Sequence, residues 1–171
     1  MLLGAILIIG LVILDQVFKI LSIYLANGSE GLIKILIPDV LEFHYINNPG
    51  ASFGMGEGMQ LLFFVVTIIA LLIFGYLFYE IDFKKKKVFS LAIILFIAGT
   101  FGNAIDRMFR PMGVVDMFNM PILNYLLSFL NIPDFIFNMA DVYMNFAVIL
   151  FIIDLLFLER KRVDVKNETN E

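Results

Sequence analysis

Asp106, in "GNAIDRM", Asp116, in "GVVDMF", and Asp141, in "FNMADVYM", are carboxylates that could meet at one boundary and do acid–base chemistry. Brought together at a partly dehydrated boundary, two such groups cannot both ionise cheaply. One pKa rises and the pair holds a single proton. One member can then take a proton from water while the other gives one to a carbonyl oxygen or a leaving amine. That is amide hydrolysis without a metal, a serine or a cysteine. The residue types alone leave two other uses open, a proton-coupled carrier site and a network that only packs helices.

Other polar residues gather with these acids. Asn103, Asp106 and Arg107 stand together in "GNAIDRM", and Asn138 comes one helical turn before Asp141. Asp15 and Lys19 are four residues apart, a spacing that lets them face each other on one side of a helix. A charge at membrane depth costs on the order of 2.5–3.5 kcal/mol, so such residues usually mark function. For Asp15 and Lys19, a buried ion pair that orders helix packing is an adequate account.

The elements that must hold these groups are apolar. Hydrophobic residues make up 61% of the 171, with 19 Phe and no Trp. That share exceeds the globular norm. Four apolar runs, at about 2–25, 59–79, 88–106 and 136–158, each approach the ~20 residues that cross a bilayer as a helix. Backbone groups in lipid must bond internally, so helices are expected. The fold class predicted is mainly α: an integral-membrane four-helix bundle with a small outer β-sheet and a short interfacial helix. One membrane-embedded domain covers 1–160 and a polar cytoplasmic tail covers 161–171. The first run lacks a basic n-region and a clear cleavage site, so it is expected to stay as a span rather than be removed as a signal peptide.

Lys84 to Lys87 and Arg160, Lys161, Arg162 and Lys166 set the orientation. The positive-inside rule places those segments, and both termini, in the cytoplasm. Segments 27–58 and 107–135 then face outward, and Asn103, Asp106, Arg107, Asp116 and Asp141 gather near the outer boundary. Asp154 falls at the cytoplasmic end, within reach of water or Lys161.

The outer segment "LIKILIPDVLEFHYINN" reads as two strands around a Pro38-Asp39 turn, an amphipathic sheet on the membrane face. His44, the sole histidine, belongs to its polar face. The glycine-rich "NNPGASFGMGEGM" reads by itself as a loop. Pro111, Pro121 and Pro133 forbid one long helix before the fourth run, and "ILNYLLSFLN" is suited to lie in the interface. The absence of cysteine rules out disulfides and thiol catalysis. No basic aromatic patch suits nucleic acid. No metal or cofactor is called for, and nothing requires more than one copy of the chain.

In register, "DQVFK", "NNPGASFG", "GNAIDR", "VVDMF" and "FNMAD" resemble the lipoprotein signal peptidases, the bacterial type II signal peptidases and a family of membrane aspartyl proteases. The resemblance implies Asp116 and Asp141 as the catalytic pair. It implies supporting or substrate-binding roles for Asn48 and Gly50 of the loop, Asn103, Asp106, Arg107, Asn138 and Ala140, with Asp15 and Lys19 beneath them. It implies a prolipoprotein substrate cut just before a diacylglyceryl-modified cysteine, a setting of membrane phospholipid in the bacterial inner membrane, and sensitivity to globomycin-type inhibitors. The chain departs from the family pattern in two places. Gly-Ala-Ser-Phe replaces Gly-Ala-Ala-Phe, and the stretch from Asp116 to Asn138 is longer, with a short helix expected over the site.

Overall fold

The computed structural model describes residues 1–49, 60–159 and 162. Helix α1 (Leu2–Ala26) ends at Asn27 in the left-handed conformation, and the chain turns into β1 (Gly31–Ile37) and β2 (Leu41–Asn48). Helix α2 (Gln60–Leu77) closes in a short 3-10 turn, and α3 (Lys87–Phe109) follows the lysine run. Then come β3 (Val114–Asn119), α4 (Pro121–Ser128), β4 (Ile136–Phe137) and α5 (Met139–Ile153), which runs into a π-helical turn at Asp154–Leu158.

Among the described residues, three helices are long and apolar enough to cross a bilayer: Leu2–Ala26, Lys87–Phe109 and Met139–Leu158. The second expected span appears only as the shorter apolar stretch Val65–Glu80. The helices expose Ile6, Ile9, Ile13 and Val17 of α1 and Val65, Ile69 and Leu72 of α2, the surface expected of a chain whose solvent is lipid. α3 is the central helix. Ala92, Ile93, Ile94 and Ala98 are buried, and its small residues allow α5 to lie close. At Gly102 an added Cβ would stand 2.6 Å from Asp15 Oδ2 and 3.1 Å from Ala140 Cβ, so α1, α3 and α5 meet there with no room to spare.

The sheet is antiparallel in the order β1-β2-β3-β4. The expected hairpin is present, with Asp39 at φ 60° in its turn. β3 and β4 are additions that the sequence reading did not foresee. In β3, Val115 and Met117 pack with Phe43 and Tyr45 of β2 against Phe18 and Ile23 of α1. Period-two alternation therefore turns Asp116 to the opposite face. The fourth run also begins later than its apolar length suggested. Residues 136–137 are strand, and Asn138 stands outside α5 as its N-cap rather than a turn inside it.

Candidate active site

Asp116 reaches the site from β3. Its Oδ1 accepts from Asn138 Nδ2 at 2.6 Å, and its Oδ2 accepts from Asn48 Nδ2 at 3.0 Å. Asn48 pairs with Val114 in the β2–β3 ladder, so it is the diagonal neighbour of Asp116 on the same face. Gly113, at φ 101°, lets β3 begin there. A side chain at that position would run into the Asn48 carbonyl.

Asp141 reaches the same place from the first turn of α5. Its Oδ2 accepts from the Asn138 main-chain N–H at 3.1 Å, while its own N–H donates to Asn138 Oδ1 at 3.0 Å. This is a reciprocal capping box. Its Oδ1 accepts from Asn103 Nδ2 at 3.0 Å. Both acids are thus bonded to the same residue, Asn138, which is itself fully buried.

Beneath them lies an ionic layer. Lys19 Nζ is 2.9 Å from Asp15 Oδ2 and 3.0 Å from Asp106 Oδ2, all three side chains being shut off from the surface. It also donates to Asn103 Oδ1 at 2.9 Å. Because Asn138 Nδ2 donates to that same Asn103 oxygen at 3.0 Å, the amide of Asn103 is fixed with its nitrogen toward Asp141. Asp15 Oδ1 accepts from Ala140 N at 3.0 Å, and Asp106 Oδ2 from Val115 N at 3.0 Å. The ion cluster therefore holds the backbone beside each acid: Ala140 next to Asp141, and Val115 next to Asp116.

Burial and the negative charge of Asp141 push the Asp116 carboxyl up to about 7, against the opposing pull of the Asn48 and Asn138 donors. A buried acid that holds its proton near neutrality beside a second acid is the arrangement that favours one shared proton.

Of the residues singled out from sequence, Asp15, Lys19, Asn48, Asn103, Asp106, Asn138, Ala140, Asp116 and Asp141 converge in one bonded network. Arg107 lies at its rim. It is 3.5 Å from the Asn103 carbonyl and lines a small niche with Asn48, Pro49 and Gly113, where its charge faces Asp141 and Asp116. Gly50 lies outside the described residues. Asp154 is at the far end of α5 and pairs with Arg162 at 2.5 Å, and Lys161, the other expected neighbour, lies outside the described residues. His44 bonds Glu42 on the sheet, away from both acids. Two residues of the ionic layer were not singled out from sequence: Gln16, and Arg110, which stands 3.3 Å from Asp106 Oδ1 and donates to Gln16 Oε1 at 3.3 Å. Gln16 Nε2 bonds Asp15 Oδ2 at 3.1 Å, the Gly102 carbonyl at 3.0 Å and Asp106 Oδ1 at 3.1 Å. Its place between Asp15 and Lys19 in "DQVFK" was the available signal.

A family model described as signal peptidase (SPase) II matches residues 7–157. The chain belongs to the signal peptidase II family. It is 39% identical over 155 residues to a lipoprotein signal peptidase of Latilactobacillus sakei, covering 90% of this chain and 94% of that protein. It is 37% identical over 165 residues to one from Lactococcus lactis subsp. cremoris, covering 94% of this chain and 98% of that one. A solved structure described as a bacterial membrane enzyme superposes with a TM-score of 0.71 at 34% identity, over 90% of this chain and 87% of its own. The sequence resemblance to the lipoprotein signal peptidases is therefore correct, and with it the assignment to a protease family of the bacterial membrane.

Proposed function

We propose that the chain is an aspartic endopeptidase that removes the signal peptide from diacylglyceryl-modified prolipoproteins, cutting just before the lipidated cysteine. The observation that carries this is the single residue Asn138 bonded to both acids, at 2.6 Å to Asp116 and 3.1 Å to Asp141. Two carboxylates held by one rigid cap suit a shared proton and a water poised between them. The pair activates that water against the scissile carbonyl and returns the proton to the leaving amine. The two acids titrate as a unit, so base and acid are roles of the pair. Asn48, Asn103 and Asn138 keep the carboxylates oriented, and Arg107 tunes charge at the rim.

The apolar helices fit a substrate that is itself held in the membrane. Four crossings, with α2 as the second, put the lysines after α2 and Arg162 on the cytoplasmic side by the positive-inside rule. The two acids then lie near the outer surface. There a diacylglyceryl group would hold the scissile bond at a constant depth, and water enters from outside only.

The test uses purified protein and a diacylglyceryl prolipoprotein, with and without a globomycin-type inhibitor. A product beginning at the lipidated cysteine, lost with the inhibitor, is expected. Absence of a cut product together with pH-dependent proton flux in liposomes would replace this reading with a carrier that uses the same acids.

A further inference from the structure

The stretch between the two acids leaves Asp116 and returns at Asn138, 22 residues later. Little regular structure ties it down. β4 is two residues long and makes two pairings, Phe118 with Phe137 and Asn119 with Ile136. α4 is eight residues, short of what stands alone in water, and it exposes Ile122, Tyr125 and Leu126. Yet Asn138, the next residue after β4, must stand at hydrogen-bond distance from both carboxylates.

One buried polar residue on α4 answers this. Asn124 is 6% exposed on a helix that is otherwise open, and asparagine is a poor helix former. Its Nδ2 donates to Asn119 Oδ1 at 2.7 Å and to the Phe135 carbonyl at 3.3 Å, and its Oδ1 accepts from Phe135 N at 3.3 Å. The side chain thus grips the backbone immediately before β4 from both sides. Asn119 is oriented in turn. Its Nδ2 donates to Glu42 Oε2 at 2.7 Å, an oxygen that also bonds His44 at 2.8 Å, so the Asn119 oxygen is left facing Asn124. Those same donors hold the Glu42 carboxyl below the usual range, and it stays an acceptor at neutral pH.

We propose that Asn124, oriented through Asn119 by Glu42, is a positioning residue for the reaction: a clasp that sets β4 against β3 and so fixes where Asn138 stands between Asp116 and Asp141. The clasp rests on the proposed aspartic mechanism. It touches neither acid and acts only through Asn138. The expected consequence of loosening it is a weaker Asn138 bond to the ionised Asp116 carboxylate, so the pair keeps its proton to higher pH.

The experiment uses the full chain in lipid-containing micelles with a diacylglyceryl prolipoprotein, and measures kcat across pH for Asn124→Leu, Glu42→Gln and, as a control at the exposed C-cap of the same helix, Phe129→Ala. Asn124→Leu is expected to lower kcat about tenfold and Glu42→Gln several-fold. In both, the alkaline limb moves to higher pH, and Phe129→Ala changes neither. If Asn124→Leu does not fold, Glu42→Gln, on the solvated side of the sheet, decides alone. A folded variant of either kind with wild-type kcat and pH profile overturns the clasp, as does a loss of thermal stability without a change in the profile. Asp116→Asn run alongside separates the two ideas: if it still cuts, the dyad is wrong, and if it is inactive while both clasp variants behave as wild type, only the clasp is wrong.

Discussion

Asn138 donates its side-chain amide to Asp116 Oδ1 at 2.6 Å, the shortest of the bonds that hold either acid. The same residue caps α5 and bonds Asp141 through its main chain, so its loss acts on stability and chemistry together. Asn138→Ala is expected to cost about 1 kcal/mol of stability through the lost cap. It should lower kcat by ten- to a hundredfold, on the order of 1.4–2.7 kcal/mol of barrier. Denaturant titration and single-substrate kinetics measure the two parts separately. A stability loss with unchanged kcat would reduce Asn138 to a helix cap.

The elevated Asp116 pKa predicts how rate depends on pH. The working form holds one proton, and with the Asp116 carboxyl raised to about 7 the pair gives that proton up near neutrality. Activity should be bell-shaped, falling on the alkaline side as pH rises through neutrality. Its acid limb marks binding of a second proton. A rate that stays flat to pH 9 would contradict this.

The same group links pH to stability with a definite sign. The folded pKa is raised from the ordinary 3.8 to about 7, so the folded state binds more protons than the unfolded state between those values. The stabilising contribution is full below about pH 4 and is lost as pH rises through 7. Thermal unfolding in micelles should therefore occur at lower temperature at pH 8 than at pH 5, by this group's share. In Asp116→Asn that share of the slope should vanish.

Lys19 lies between the buried carboxylates Asp15 and Asp106, within 3.0 Å of each, while Arg110 stands 3.3 Å from the other oxygen of Asp106. Lys19→Met leaves both acids buried without it, and a loss of about 3–5 kcal/mol is expected. Adding Asp15→Asn to Lys19→Met should recover part of that loss. Activity should also fall, because Asn103 Oδ1 loses a donor that helps turn its amide toward Asp141. Chemical unfolding of the single and double variants checks the coupling, and equal stability of the two would argue against the ionic layer.

Gly102→Ala tests the packing beneath the site. The new methyl would meet Asp15 Oδ2 and Ala140 Cβ, and both partners are tied down by the Asp15 bond to the Ala140 N–H. A cost of about 1–3 kcal/mol is expected for such overpacking. A wild-type unfolding midpoint would mean that α1 and α5 can yield there.

Helices with long apolar runs were legible in the sequence because lipid demands one repeated property over many residues. The Asp15–Lys19 pair was legible because helical spacing is local. β3 and β4 were not. "VVDMFN" carries a short alternation that yields no period of its own, and its strand character comes from pairing with β2, 66 to 77 residues away in the chain. Asn138 looked like a helical residue because the apolar run begins before it, whereas its cap role depends on where Asp116 and Asn103 stand. Asn124 gave no signal at all. An asparagine in "ILNYLL" looks like any polar interruption until Asn119 and Phe135 are beside it. Gln16 failed to register for a related reason, since its partners on α3 are 86 and 90 positions distant.

The most direct measurement is the rate at which purified Asp116→Asn and Asp141→Asn release the signal peptide from a diacylglyceryl prolipoprotein, each variant first shown to be folded. The account predicts no detectable cleavage by either. Cleavage by either variant at close to the wild-type rate would contradict it.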